Sequence, residues 1–216
     1  MHYYLLLDGA RLEHRLGLGQ ELNDHNRSLY RGELDPDIEA AGPYLFTFPH
    51  NDEFKAWYTT GSPQDHWGVM VMALHSFEEL YKHFRRFLMV ETEDGKKLYF
   101  RFYDPRVLRT FLPTCDTAQL SDFFGPVKYF FAEDEDPQTL LRFSLQNRQL
   151  TTERLEKANF FTRYTQVAHS HREEDEKKHS KNPKTSSNSV ELRPTPAEAP
   201  KRSRRKPPND INKWLH

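Results

Sequence analysis

A single cysteine, Cys115, is all the thiol chemistry this 216-residue chain has. No disulfide can close within it, and no zinc site can be built on several thiolates. Long apolar runs are missing too. The stretch from Met1 to Asp8 is too short for the core of a signal peptide and has no basic flank. No run approaches the ~20 residues of a membrane span. These absences lead us to expect a cytoplasmic protein with no membrane partner. Signature motifs of nucleotide and ester chemistry are also lacking: there is no P-loop, no G-x-G-x-x-G and no G-x-S-x-G elbow. Eleven histidines are present, but none falls into HExxH spacing. His169, His171 and His179 cluster in a charged polar stretch with nothing to fix their geometry. The expectation is no metal and no cofactor. The run from Glu133 to Asp136 reads as a solvated acidic loop before Pro137.

What is present is unevenly spread. Hydrophobic residues make up 36% of the chain, and the aromatics fall almost entirely within residues 1–165. Residues 166–216 carry 12 Lys and Arg against 7 Asp and Glu, and their only aromatic is Trp214. Such a segment buries too little apolar surface to offset its ordering entropy, so it is predicted to be a disordered basic tail. The remainder is net acidic, unlike a dedicated nucleic-acid domain, whose basic charge lies on the folded surface. The basic run Lys201 to Lys206 leaves nucleic-acid binding as a minor alternative.

Patterning predicts an α/β (mixed α+β) fold in two lobes, over residues 1–90 and 91–165, followed by the tail at 166–216. Strands are expected at Tyr3–Leu7, Tyr44–Phe48 and Gly68–Leu74, the last apolar enough to be covered on both faces. Helices are expected at Arg11–Asn23, weakened by Gly17 and Gly19, and at Glu53–Thr60. Ser76 with Glu79 forms a capping box, and Phe77, Leu80, Tyr81, Phe84 and Leu88 follow at helical spacing. Strand, helix and strand in that order suggest an α/β layer. Met89–Thr92 and Leu98–Tyr103 flank Asp94-Gly95, a hairpin signal. Asp104 caps the next helix, with Pro105 at its first position, and Asp116 with Gln119 caps another. Strands at Lys128–Ala132, Leu140–Leu145 and Arg148–Thr152, then a helix from Glu153 to Ala168, complete the prediction.

The run Leu98-Tyr-Phe-Arg-Phe-Tyr-Asp-Pro-Arg-Val-Leu108 is the most distinctive in the chain. With Arg109-Thr-Phe-Leu-Pro113, Gln119-Leu120 and Phe123-Phe-Gly-Pro126, it resembles the hallmark of a bacterial adaptor family first described as a domain of unknown function. Leu5-Leu-Leu-Asp-Gly-Ala10, Ala41-Gly-Pro-Tyr-Leu45 and Trp67-Gly-Val69 are similar to the same family, and the resemblance covers residues 1–150. It implies a two-lobed α/β protein without catalysis, which binds a secreted toxin effector and loads it onto the VgrG-type spike of a type VI secretion machine.

In strand alternation, Arg101 and Tyr103 share a face, Asp104 turns the chain into a helix, and Arg106 lies in its first turn. Two readings of this corner stay open. In one it is architecture, with Arg101 paired to Asp104 or to a sheet partner. In the other Arg101, Tyr103, Asp104 and Arg106 bind the partner, the planar guanidiniums holding carbonyls or a carboxylate of the cargo. Some of the sixteen Phe and ten Tyr are expected to line an exposed groove. The competing function is a small enzyme with an unrecognised site, Cys115 being an incidental thiol.

Overall fold

The computed structural model describes residues 1–30, 35–48, 51–61, 65–91 and 95–161. The basic tail, the Thr92–Asp94 part of the hairpin and residues 162–168 lie outside them.

The architecture is mixed α/β, built on a seven-stranded sheet of order β2-β3-β1-β4-β7-β8-β9. Its strands are β1 (His2–Asp8), β2 (Asn26–Ser28), β3 (Pro43–Thr47), β4 (Gly68–Ala73), β7 (Val127–Glu133), β8 (Thr139–Gln146) and β9 (Gln149–Glu156). Every pairing in it is antiparallel. β4 reads as a continuous apolar run because it is central, and all six of its residues are buried. The strand–helix–strand order after Gly68 does not build a parallel layer. The next strands, β5 (Met89–Glu91) and β6 (Lys97–Tyr99), leave the sheet and pair with each other as a separate hairpin.

Period-two alternation divides the core. Tyr4, Leu6, Val69, Val71, Phe130 and Phe143 face one side of the sheet, and Leu5, Leu7, Phe46, Met70, Met72 and Phe131 the other. Helices α5 (Phe77–Phe84), α6 (Pro105–Phe111) and α7 (Thr117–Phe124) cover the first side through Leu80, Phe84, Leu108, Phe111 and Phe123. Helices α1 (Gly9–Leu12), α2 (Arg15–Leu22) and α4 (Asp52–Gly61) cover the second through Leu12, Leu16, Phe54 and Tyr58. A five-residue helix, α3 (Pro36–Ala40), buries none of its residues. The lobe boundary expected at residue 90 is crossed by hydrogen bonding, since β4 pairs with β7 and both segments contribute to one sheet.

Three local signals act as their chemistry dictates. Ser76/Glu79 and Asp116/Gln119 each form a reciprocal capping box at the starts of α5 and α7. Asp104 caps α6, whose first residue is Pro105. Other expectations fail for identifiable reasons. The helix expected over 11–23 is two short helices, interrupted at Glu13, which adopts φ 51°. Residues 153–156, expected to be helical, extend β9, because Glu153 to Glu156 pair with Arg142 to Thr139; among the described residues of that stretch, 157–161 are helical. The β8–β9 turn is Asn147-Arg148, both at positive φ, one residue later than expected.

Candidate functional site

The predicted strand through Tyr103 ends at Tyr99, and residues 100–104 form an irregular link into α6. Its backbone is anchored at both ends. The Phe100 amide donates to the Leu88 carbonyl at 2.9 Å, and the Asp104 amide to the Arg101 carbonyl at 2.9 Å. Alternation holds as far as Phe102, which is fully buried, while Arg101 stays 44% exposed. It breaks at Tyr103, expected beside Arg101 on an outer face. The turn carries Tyr103 inward to 3% exposure, where its phenol interacts with that of Tyr30.

Of the two expected partners of Arg101, Asp104 or a residue of the sheet, the structure has the second. It is Asp8, at the end of β1, whose carboxylate is wholly buried. Asp8 also accepts from the Ala10 amide at 3.1 Å, capping α1. The following Gly9 lets the backbones touch: a Cβ there would lie 1.9 Å from the Ala40 carbonyl oxygen. An aspartate closing an apolar strand is the sequence signal for a buried, paired charge.

Arg106 makes the second pair. It donates to Asp104 from Nε at 3.0 Å and from Nη2 at 2.6 Å, while its backbone amide donates to the same carboxylate at 2.9 Å. The four predicted site residues thus come together, with Asp8 and Tyr30 added. Two half-exposed guanidiniums each rest on a buried carboxylate. Tyr99, two residues before Arg101, is 56% exposed, its ring 5.7 Å from that of Tyr30.

The two carboxylates sit in opposite electrostatic states. Burial pushes Asp8 above the ordinary carboxylate range, against the hydrogen bond and charge of Arg101. Burial acts on Asp104 in the same direction, but the hydrogen bonds from Arg106 and the charges of Arg106 and Arg101 outweigh it and hold Asp104 below that range. Burial raises the Tyr103 phenol, helped by the Asp8 charge, so it is a neutral hydroxyl at any physiological pH.

A second polar cluster lies at the far end of β7. Glu133, expected in a solvated loop, is buried as the last residue of that strand. Its carboxylate lies 2.7 Å from Lys157 Nζ and 3.2 Å from His66 Nδ1, and its carbonyl accepts from Arg109 at 3.0 Å. Asp134 is nearly buried as well and pairs with Arg154, so only Glu135, at 86% side-chain exposure, and Asp136 fit the expectation. Among the described residues no group of three or more His, Cys, Asp or Glu could hold a metal ion. Cys115 is half-buried, and burial pushes its thiol up to about 12.

Fold and site together define an α/β domain organised around a doubly ion-paired strand-to-helix corner, and no helix among the described residues is long and apolar enough to cross a membrane. The model of one protein family, described as a domain of unknown function (DUF4123), matches residues 3–122, and the chain belongs to that family. The match takes in both partners of each ion pair. No curated protein and no solved structure is detectably similar.

Proposed function

We propose that this protein is a non-catalytic adaptor that binds a secreted toxin effector and loads it onto the VgrG-type spike of a type VI secretion machine. Membership in the family of unknown function supports the reading together with the resemblance of Leu98–Leu108 and its flanking motifs to effector-escorting adaptors. The observation that carries it is the corner itself. Arg101 and Arg106 are paired with the buried Asp8 and Asp104 yet stay nearly half exposed, and Tyr99, two residues before Arg101, is exposed as well.

A guanidinium has five donors in a rigid fork. One side bound to a buried carboxylate leaves the other pre-oriented for carbonyls or a carboxylate of a docking polypeptide, at little further cost in side-chain entropy. One exposed Tyr and two half-exposed Arg residues within Tyr99–Arg106 are the side-chain types that dominate interface energetics. Cys115 is a poor nucleophile, because its thiol is almost entirely protonated at neutral pH.

The test is co-purification from the native cell with mass spectrometry of bound proteins, then pull-downs of the toxin and spike with Tyr99→Ala and Arg106→Gln. Tyr99→Ala leaves both ion pairs of the corner intact, so its circular dichroism melt should stay near the parent's while cargo capture falls. Arg106→Gln leaves the buried Asp104 carboxylate without its cation, so its capture is compared at a temperature below its own melt. Recovery of neither a toxin nor a spike component, or turnover of a substrate by the purified protein alone, would overturn the reading.

A further inference from the structure

Among the described residues, the helices over the second face of the sheet cover half of it. Helices α1, α2 and α4 pack over its β3-β1-β4 half. Over β7, β8 and β9 lies an open groove of about 460 Å³. Its floor is aromatic and apolar. Tyr3, Met72, Tyr129 and Phe131 line it, with Phe160 at the rim, and the Phe131 and Phe160 rings lie 4.8 Å apart. Its other rim is ionic, formed by Arg142, Glu153, Arg154 and Glu156. The Arg142 guanidinium lies 4.8 Å over the Tyr129 ring and pairs with Glu153.

We propose that this groove is the intramolecular docking site of residues 211–215 of the same chain, Ile-Asn-Lys-Trp-Leu. Three observations select that occupant. The described chain ends at the groove: Phe160 and Phe161 are its last residues, and Phe160 lines the rim. Roughly fifty residues separate Phe161 from Ile211, and a polar chain of that length has a root-mean-square span on the order of 40 Å, so the segment reaches the groove at an effective concentration in the millimolar range.

Beyond residue 200 the large apolar side chains are Ile211, Trp214 and Leu215. They stand at i, i+3 and i+4, one face of a helical turn, after Asn209-Asp210, residue types that start helices. An aromatic-lined trough is a natural seat for an indole flanked by two aliphatic side chains.

Charge favours the same pairing. On the rim Glu153 and Glu156 are balanced by Arg142 and Arg154, so the net charge of the two partners decides. The acidic body and the basic stretch from 166 onward attract over longer range. The inference stands apart from the adaptor reading and does not need it.

The experiment uses the full chain, labelled with nitrogen-15. Trp214→Phe assigns the Trp214 signals against those of Trp57 and Trp67. In the unaltered protein the Trp214 amide is expected to have an order parameter near that of rigid backbone, about 0.85, and a chemical shift away from the random-coil position. Ile211→Asp with Leu215→Asp, changes made outside the folded body, should drop it below about 0.6 with Trp57 and Trp67 unmoved. Tyr129→Ala should release the segment from the other side. A Trp214 that is already fast-moving at its random-coil shift in the unaltered chain overturns the proposal. So does ordering that depends on protein concentration, which would mean a second copy fills the groove. Insensitivity to Tyr129→Ala in a protein that stays folded would place the segment elsewhere.

Discussion

Arg101 donates a hydrogen bond to the fully buried carboxylate of Asp8, ninety-three positions earlier in the chain. The contact ties the β1–α1 junction to the link entering α6, and it runs through the most distinctive motif of the sequence. A buried charge left without its partner costs more than the pair contributes. Arg101→Ala is expected to destabilise by about 1–3 kcal/mol, low for a buried pair because Arg101 is half-exposed and Asp8 can take up a proton. Asp8→Asn combined with Arg101→Ala should cost less than the two single changes added. Urea unfolding of the four-member cycle measures the coupling; strict additivity would mean the pair is energetically idle.

The pH dependence of the two aspartates should have opposite sign. Asp104 has a lowered pKa, so its contribution is present above the unfolded value, about 3.9, and is lost as pH falls through its folded value. Asp8 has a raised pKa, so its contribution is present below the unfolded value and is lost as pH rises through the folded one. The stability gap between parent and Asp104→Asn should therefore shrink toward acid. The gap between parent and Asp8→Asn should shrink toward neutrality. Denaturation series from pH 3 to 7 read both slopes, and slopes of the same sign would contradict the assignment.

Gly125 ends α7 at φ 46°, and a Cβ there would lie 2.4 Å from Cε1 of His83. That imidazole is buried, with Nε2 2.8 Å from the Phe123 carbonyl. Gly125→Ala meets both backbone strain and a fixed ring, and is expected to cost about 1–3 kcal/mol. A melting temperature equal to the parent's would mean that the α7 terminus can relax freely.

Cys115 should resist alkylation in the native state. A thiol pushed up to about 12 is thiolate in roughly one molecule in ten thousand at pH 8. Iodoacetamide labelling followed by mass spectrometry is expected to be slow in buffer and fast in urea. Rapid native labelling would mean that the η1 turn (Leu112–Thr114) preceding it opens readily.

Capping boxes, the Asp104-Pro105 helix start and the alternating strands were legible in the sequence, because each depends on residues within four positions of one another. The order of the strands was not, since β1 sits between β3 and β4 through contacts that no local pattern encodes. Glu153 to Glu156 look helical by composition, yet pairing along β8 decides their conformation. At the corner, Arg101, Asp104 and Arg106 were visible as a cluster of charge. Asp8 was not visible as the partner of Arg101, and Tyr103 was assigned to the wrong side because the strand period stops before it.

The central position of β4 also governs how the chain leaves the ribosome. When residue 73 emerges, β1 can already pair along one side of β4. The other side has no hydrogen-bonding neighbour until Val127–Glu133 have been synthesised. For more than fifty codons the nascent polypeptide offers an apolar, sticky margin to anything nearby. Expression yield is therefore expected to depend on translation speed and on trigger-type holdases over that interval, more than on the final stability of the protein.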